Sequence, residues 1–533
     1  MGSFIITSET LGWVTLCYKS HSLVMSQYAA IDIGSNSIRM LAAEVDANGK
    51  TVVLASERQV VRLGTSVFRE GRLNEATMNL AYNVLAGMAA TYRKLDVLAV
   101  RVVGTAALRD AHNQPEFLAR ASTILGTPVE VISGLEEARL VHLGVQSQWP
   151  HLKQRLLVAD IGGGSAELVL SDAGHIVESF SKPLGAVRLT EMFLKNDPAD
   201  PRELLRMRKY IQERIAGPAT RFGAVKPDRM IATSSTAAAV VCAVNRVRRS
   251  RRDLADRLPA TAAQISRLYS QVSAASLEGR QGITGIGPRR AEIIVAGAAV
   301  LHEIVEAFRL PRLYYSTAGV REGIVADLAR RKVGLAEARL NPDRRRVVVA
   351  LSRRYGLSAP HVRKVAQVAG ILFEQLRSLH GLPAPHGQVI EAAAYLYNIG
   401  HWVNESRHHK HSLYLVANSD LAGFSEWERL VIANLCRYHR KSMPQPAHLE
   451  FQSLDVEGRR AVVLLAPLLR IAVALDQSQE QLVEDVHVAI QDKTVELHLR
   501  SPRDLDVEQW HAEQVAPVFR ETYGLPLTVR AKR

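Results

Sequence analysis

Apolar and polar positions follow two different rhythms along this chain, and the rhythm changes near residue 347. Before that point, short apolar runs alternate with stretches whose apolar residues recur every three or four positions, a pattern typical of strands and covering helices. The main runs that predict strands are 28–31, 51–60, 97–103, 156–159, 230–232 and 313–316, and a long helix is predicted over 291–308. This part of the chain is therefore predicted to be α/β, with mixed or parallel sheets covered by helices.

The remainder of the chain has a different character. Residues 347–480 carry apolar residues at helical spacing almost throughout and predict an all-α domain. The charged segment 331–346, which contains Pro342, predicts a linker before it. Residues 481–533 predict a small α+β cap, with a hairpin over 486–499, a helix over 506–522 and a last strand at 527–529.

One six-residue pattern occurs twice, each time between two apolar runs. Residues 32–37 read DIGSNS, and residues 160–165 read DIGGGS. Each copy predicts strand, tight turn and strand, and a glycine-rich turn lets backbone N–H groups converge on a phosphate. An aspartate at the end of the first strand is a hard oxygen ligand suited to Mg²⁺. A single turn of this kind is more often an ordinary β-turn, but two copies indicate a duplicated domain whose cleft holds a phosphate chain from both sides.

Composition narrows the class of protein and of partner. A length of 533 residues predicts three or four domains, and 47% hydrophobic with 23% charged residues is typical of soluble globular proteins. A net charge of +14 predicts an anionic partner. Aromatic residues make up 6%, and no base-stacking motif is visible, so DNA is not expected, whereas peripheral membrane contact stays open. The arginine-rich runs at 246–252 and 344–346 are most simply solvated faces.

Cysteine usage and the N-terminus bear on location. The three cysteines are scattered, so no disulfide framework follows and a reducing cytoplasm is expected. No apolar stretch reaches transmembrane length. Residues 1–26 lack a basic leader and a small-residue cleavage site, and we interpret them as a disordered extension with Met25 as an alternative start.

Three further segments carry candidate chemistry. Residues 132–139 place Glu136 and Glu137 at a helix start, where they either complement the helix dipole or provide one carboxylate that takes a proton from water. Arg109 lies one turn after Thr105 near another helix start and could clamp a phosphoryl oxygen. Asp160 and Glu167 lie on the two strands of one hairpin, where their carboxylates could share a hydrated Mg²⁺.

Taken together, these segments resemble the exopolyphosphatase and guanosine pentaphosphate phosphohydrolase (Ppx/GppA) family. The resemblance runs in order from residue 28 to about 328 and is carried by 31–37, 104–109, 132–139, 160–167, 285–292 and 319–323. It implies two actin-like lobes of the ribonuclease-H type, as in the sugar kinase and actin superfamily, over 27–140 and 141–330. The active site would lie between them. Residues 231–236 depart from the family, whose members usually carry a glycine-containing turn there.

The resemblance also implies roles for single residues. Glu137 would be the general base, and Arg109 would contact the phosphoryl group. Mg²⁺ would be held by Asp160 and Glu167, with Asp32. The positions that would cradle phosphate are Ser35, Asn36, Ser37, Thr105, Gly163, Gly164 and Ser165.

The helical domain resembles the C-terminal part of long family members, which is related to HD phosphohydrolases. An active HD site needs a His-Asp pair on one helix, and this chain has Tyr397-Asn398 at that place. His361 and Asp476 match the outer ligands, but a site without both central ligands is not expected to hold catalytic metal. We interpret the domain as a degenerate HD-like domain whose basic surface holds a long polyanion.

The expected activity is therefore Mg²⁺-dependent release of terminal phosphate from inorganic polyphosphate by a homodimer. The nearest alternative is hydrolysis of the 5′ γ-phosphate of guanosine pentaphosphate (pppGpp) to ppGpp, and the motifs do not separate the two. An ATP-dependent kinase of the same fold and a non-catalytic sensor of alarmone or polyphosphate are further alternatives.

Overall fold

The computed structural model describes residues 26–46, 49–149, 154–223, 227–331, 338–491 and 494–532. The predicted N-terminal extension and the alternative start at Met25 lie outside these residues, except that Ser26 already begins the first strand. Within the described ranges, none of the helices is long and apolar enough to cross a membrane.

The first lobe is built on a five-stranded sheet with the order β3-β2-β1-β4-β5. Its strands are β1 Ser26–Ile33, β2 Ser37–Val45, β3 Thr51–Val60, β4 Ala99–Gly104 and β5 Val129–Val131. Its helices are α1 Leu63–Glu70, α2 Glu75–Arg93, α3 Ala106–Asp110, α4 Gln114–Leu125 and α5 Gly134–Gln148.

The second lobe has a six-stranded sheet with the order β10-β11-β9-β6-β7-β8. Its strands are β6 Leu156–Ile161, β7 Ala166–Asp172, β8 His175–Lys182, β9 Arg229–Thr233, β10 Pro259–Thr261 and β11 Arg312–Tyr315. Its helices are α6 Ala186–Phe193, α7 Pro201–Gly223, α8 Ser234–Val244, α9 Ala262–Ala274, α10 Leu277–Gln281, α11 Pro288–Ala291, α12 Ile294–Ala307 and α13 Val320–Arg330, with a 3₁₀ segment at Arg249–Ala255.

The two sheets repeat one topology. In each, the first three strands form an antiparallel meander, and two further strands pair in parallel beside the first, β4 and β5 in one lobe and β9 and β11 in the other. In the second lobe, β10 adds an antiparallel edge strand beside β11. This confirms the mixed α/β organisation. Helices α5 and α13 pack between the sheets within an apolar layer that takes residues from both lobes. They approach so closely that a Cβ on Gly144 would lie 2.1 Å from the carbonyl oxygen of Gly319.

The helical part follows the second lobe. It contains α14 Pro342–Arg354, α15 Ala359–Gln375, α16 Arg377–His380, α17 His386–Leu396, α18 His408–Ala417, α19 Glu426–Tyr438, α20 Leu449–Gln452 and α21 Val456–Ala474, with a 3₁₀ turn at Ile399–Trp402. The chain then forms β12 Asp485–Gln491, β13 Thr494–Arg500, α22 Asp506–Glu513, α23 Ala516–Tyr523 and β14 Leu527–Lys532, which make a three-stranded sheet and two helices. These share one apolar core with the helical part.

Three sequence-based boundaries are corrected. The predicted linker 331–346 is too long, because α14 starts at Pro342, with the Asn341 side chain accepting a hydrogen bond from the Arg344 amide. The predicted helix 506–522 is two helices, α22 and α23. The predicted helix 291–308 is interrupted at Ile293 between α11 and α12. Arg344 is not on a solvated face either, since it is buried and ion-paired with Glu428 at 2.8 Å.

Candidate active site

The two repeated turns face each other across a cavity of about 410 Å³ between the lobes. Each turn is closed by the same backbone hydrogen bond, from Gly34 N–H to Ser37 O at 3.2 Å and from Gly162 N–H to Ser165 O at 3.0 Å. The predicted positions that line the cavity are Asp32, Ser35, Asn36, Ser37, Thr105, Glu137, Asp160, Gly163, Gly164 and Ser165. The sequence pattern therefore brings one set of side chains and amides together at one cleft.

Backbone groups of both turns are oriented by the helices behind them. The carbonyls of Ser35 and Asn36 accept hydrogen bonds from the start of α1, and those of Gly162 and Gly163 accept from the start of α6. By contrast, the N–H groups of Asn36, Gly163 and Gly164 make no hydrogen bond to any described residue. Amides that converge without a protein acceptor form a suitable anion-binding concavity.

The glycines of the second turn are required by close approach to the first. A Cβ at Gly163 would lie 3.1 Å from Cβ of Ser35, and a Cβ at Gly164 would lie 2.7 Å from its Oγ. The Ser35 hydroxyl is itself buried without a partner among the described residues. Any larger side chain at these two positions would push the two turns apart. The distance between the phosphate-binding amides of the two turns would then increase.

Glu137 reaches the cleft from the first turn of α5. Ser133 caps this helix, because its hydroxyl accepts a hydrogen bond from the Glu136 amide at 3.1 Å. The Glu137 carboxylate is buried and accepts a hydrogen bond from Arg109 at 3.0 Å. Burial, together with the negative charges of Asp32 and Asp160, raises the pKa of Glu137 to about 7 despite the opposing effect of Arg109. A carboxylate with such a pKa is suited to accept a proton near neutral pH.

Its neighbour Glu136 points elsewhere. Its carboxylate pairs with Arg139 at 2.7 Å and Arg101 at 3.2 Å, and it accepts a hydrogen bond from the Gly423 amide of the helical part at 3.0 Å. Burial opposes ionisation, yet these arginines hold the pKa of Glu136 below its usual value. The two adjacent glutamates are thus separated in environment, one buried in an ion network and one facing the cleft.

The predicted role of Arg109 as a phosphoryl contact is not supported by its position. Its Nη1 donates to the Ile132 carbonyl at 2.7 Å and to Glu137 at 3.0 Å, and Arg109 does not line the cleft. The structure makes it a partner of Glu137.

The three predicted metal ligands differ in exposure to the cleft. Asp32 and Asp160 line it, and burial raises the pKa of both, that of Asp160 to about 6. Glu167 lies opposite Asp160 in the β6–β7 register but does not line the cleft, and its carboxylate accepts a hydrogen bond from Ser181 at 2.8 Å. Burial together with the charges of Glu137 and Asp160 raises its pKa well above the usual value. The structure thus places Asp32 and Asp160 at the cleft, and a metal-ligand role for Glu167 stays a prediction.

Sequence reasoning missed a group of arginines at the cleft between the lobes. We call Arg39, Arg58, Arg249, Arg252 and Arg290 the arginine cluster; Arg39, Arg252 and Arg290 line the cleft. Burial and mutual repulsion lower the pKa of Arg58 to about 8 and that of Arg290 to about 9. Buried guanidinium groups that also repel one another indicate a place for an anion. Asp253, which also lines the cleft, offsets only part of the charge.

A signal for the cluster was present in the repeat itself. Asp32 pairs with Arg39 in the first hairpin as Asp160 pairs with Glu167 in the second, so the duplication points to position 39 as a cleft position. Arg39 donates to Ser37 at 3.3 Å and to Ser235 at 3.0 Å. Its guanidinium thereby connects the first turn to the second lobe.

Ser234 explains how the chain departs from a glycine-containing turn. Its φ of 76° lies in the left-handed region that glycine adopts freely. The serine hydroxyl donates to the Ile161 carbonyl at 2.7 Å and also supports the ionised form of Asp160. Serine therefore keeps the backbone path of a glycine turn and adds a hydroxyl at the cleft.

The helical part brings His361, Asp476 and Tyr397 together. His361 Nδ1 is 2.7 Å from Asp476, and its Nε2 is 2.6 Å from the Tyr397 hydroxyl. No cluster of three metal-ligating side chains occurs in the described ranges. Both ring nitrogens of His361 thus have protein partners, and the HD-like character of this part stays a prediction.

Comparisons with known proteins agree with this architecture. Residues 42–332 match the Ppx/GppA phosphatase family, and residues 344–513 match domain III of Ppx/GppA phosphatases. The guanosine-5′-triphosphate,3′-diphosphate pyrophosphatase of Vibrio parahaemolyticus is 28% identical, with 95% of this chain and 98% of that protein covered. The protein of the same name from Vibrio campbellii is 30% identical, with 84% and 86% covered.

A solved structure completes the comparison. The Aquifex aeolicus member of the Ppx/GppA family is 28% identical, with a TM-score of 0.50, and the match covers 58% of this chain and 99% of that one. The relatives are named as phosphatases and pyrophosphatases, which agrees with a hydrolase of phosphoanhydride bonds. The chain belongs to the Ppx/GppA phosphatase family.

Proposed function

We propose that this protein hydrolyses the terminal 5′ phosphate of guanosine-5′-triphosphate,3′-diphosphate, with Glu137 as the general base. The observation that carries the proposal is the position of Glu137, which has a pKa near 7 and lines the same cleft as the unpartnered amides of two glycine turns. The name of the Vibrio relatives, which match nearly the whole chain, supports this substrate over others.

In the proposed reaction, Glu137 takes a proton from water, and the resulting hydroxide attacks the terminal phosphorus. The phosphoanhydride bond breaks, the bonding electrons stay on the bridging oxygen, and orthophosphate leaves. Amides of Asn36, Gly163 and Gly164 would donate to the phosphate oxygens as charge develops. Arg109 would keep the base in place and aid its deprotonation.

The residues present fit Mg²⁺ as the cofactor. Asp160 Oδ1 is buried without a hydrogen-bond partner in the described part of the chain, and Asp32 lines the same cleft. Mg²⁺ commonly uses one or two carboxylates and completes its shell with water and substrate phosphates, so three protein ligands are not needed. Asp160 and Asp32 would hold the ion, which would neutralise charge on the phosphate oxygens.

The arginine cluster supports a substrate with several phosphates. A nucleotide that carries a second, 3′ diphosphate would have a cationic partner for that group in the arginines that line the same cleft as Glu137. The arginine cluster also favours inorganic polyphosphate, our second candidate, because its consecutive phosphates could bind successive arginines. The HD relationship of the helical part, the homodimer and the cytoplasmic location stay predictions.

The decisive measurement is orthophosphate release from the two substrates at equal concentration, with Glu137→Gln as the catalytic control. We expect a higher kcat/KM on guanosine-5′-triphosphate,3′-diphosphate. A preference for polyphosphate would select the second candidate. Equal, Glu137-independent release from both would exclude the proposed base.

A further inference from the structure

A second cavity, of about 480 Å³, lies in the helical part and shares no lining residue with the cleft. It opens between the end of α17, the C-terminal end of α19, α21 and the loop after α22. Its size is within the range of pockets that hold small-molecule ligands. The proposed reaction uses none of its residues, so its chemistry has to be derived separately.

The cavity is cationic. Arg440 and Arg470 line it, and no aspartate or glutamate among the described residues does so. The nearest carboxylate, Asp476, is buried behind the wall and is engaged by His361 at 2.7 Å and by the Gln481 amide at 2.8 Å. An anion in the cavity would therefore meet two guanidinium groups, and no carboxylate on the described lining would oppose it.

Neither arginine has a carboxylate partner in the described ranges. Arg470 donates through Nε to Tyr438 O at 2.8 Å and through Nη2 to Lys441 O at 2.9 Å, which fixes its guanidinium at the end of α19. Burial lowers the pKa of Arg470 to about 10. Arg440 is exposed and donates to the His408 ring nitrogen at 3.2 Å. Two oriented guanidinium groups without a counter-charge are a typical arrangement for phosphate recognition.

Three imidazoles form a stacked wall beside them. The His408 ring lies 3.8 Å from that of His401 and 5.5 Å from that of His439, measured between centroids. His439 Nδ1 donates to Cys436 O at 2.7 Å, which orients its other nitrogen. Amide side chains of Gln477 and Gln514 line the remaining surface and supply neutral donors and acceptors.

We propose that this cavity is a phosphate-binding site distinct from the catalytic cleft, with Arg440 and Arg470 as its cationic contacts. The ligand is a small phosphorylated anion, either an inorganic oligophosphate or a nucleotide. Both share the phosphate chemistry that the arginines recognise. The aromatic and amide walls would add contacts only for a nucleotide.

The test is calorimetric titration of the full chain carrying Glu137→Gln, so that nothing is hydrolysed. Inorganic pyrophosphate is the first probe, and guanosine diphosphate is the second. We expect two classes of site for at least one probe. Adding Arg440→Gln should weaken one class about tenfold or more and leave the other unchanged. Arg39→Gln should affect the other class, because Arg39 lines the cleft.

The matched control is Arg437→Gln. Arg437 belongs to the same helix end, stacks on Tyr438 and does not line the cavity, so both classes of site should persist in this variant. Tighter binding of guanosine diphosphate than of pyrophosphate at the Arg440-dependent site would identify a nucleotide site, and the reverse order an oligophosphate site. A single class of site for both probes, or two classes that Arg440→Gln leaves unchanged, would overturn the proposal.

Discussion

At the scale of single residues, the two neighbours Glu136 and Glu137 carry the same side chain in opposite electrostatic settings. Arginines surround Glu136 and hold its pKa below the usual value, whereas burial beside two aspartates raises that of Glu137 to about 7. Their environments, and not their chemistry, separate a structural carboxylate from a candidate base.

Glu137→Gln should therefore remove most of the activity while the substrate still binds. A general base typically contributes about 10²–10⁴-fold to the rate, and the amide keeps the shape of the carboxylate. Steady-state kinetics should show kcat reduced within that range and KM changed little. A variant with more than about a tenth of the original kcat would show that Glu137 is not the base.

Arg109→Gln tests the revised role of Arg109. The arginine lowers the pKa of Glu137, so its loss should raise that pKa. The base is active when deprotonated, so the acidic limb of the kcat/KM profile, expected near pH 7 in the unaltered protein, should move to higher pH. The rate should recover at alkaline pH, and Arg109→Lys should shift the limb less. An equal loss of rate at every pH would instead indicate direct contact with the phosphoryl group.

Asp160 and Glu167 provide a matched pair for the metal prediction. Asp160→Asn should raise the Mg²⁺ concentration needed for half-maximal activity, because it removes a charged oxygen ligand from the cleft. Glu167→Gln should leave that concentration nearly unchanged, because the Glu167 carboxylate does not line the cleft and accepts a hydrogen bond from Ser181. A metal titration of activity distinguishes the two. An identical increase of the half-maximal Mg²⁺ concentration in both variants would show that Glu167 also contributes to the metal site.

At the scale of elements, α5 is the hub that joins the lobes to the helical part. Its residue Glu136 pairs with Arg101 of β4, and Asp327 of α13 pairs with the same arginine at 3.1 Å. Asp420 and Gly423, in the loop before α19, reach Ser133 and Glu136 at 3.1 Å and 3.0 Å. The proposed base, Glu137, is thus one residue away from a network that spans four segments of the chain.

Glu136→Gln should consequently destabilise the protein far more than Glu137→Gln does. Removing one partner from a buried ion network leaves uncompensated charge and costs about 3–5 kcal/mol. The neighbouring substitution should be neutral or slightly stabilising, since burial disfavours the charge that it removes. Denaturant unfolding of both variants at pH 7 checks this. Equal stability losses would mean that the network contributes no more than an ordinary surface pair.

Much of this architecture was predictable because the local signals agree with the fold. The repeated turns, the alternation of strands and helices and the helical region all reflect periodic burial. The arginine cluster was not predictable in the same way, because Arg39 and Arg290 are far apart in sequence and meet only after the lobes pack. The burial of Arg344 was hidden for the same reason, since its partner Glu428 lies on another helix.

At the scale of the whole molecule, the helical part supports the catalytic lobes through contacts beside the base. A chain ending after Arg331 would lose the Gly423 amide on Glu136, the Asp420 contact to Ser133 and the Glu428 partner of Arg331. We expect it to fold with a lower melting temperature and to show a reduced kcat with little change in KM. Asp420→Ala in the full chain should reproduce part of the kcat loss. Unchanged kcat in both would show that the loop does not influence the base.

The amide of Gly423 on Glu136 also has a consequence for sequence variation across the family. A member that ends after its second lobe has no such donor, and an acid at this position would then have to be satisfied within the lobes alone. Positions 101, 136 and 327 should therefore vary together according to whether the helical part is present. An alignment that separates long from short family members would reveal this dependence. The residue at position 136 would then indicate whether a family member carries the helical part.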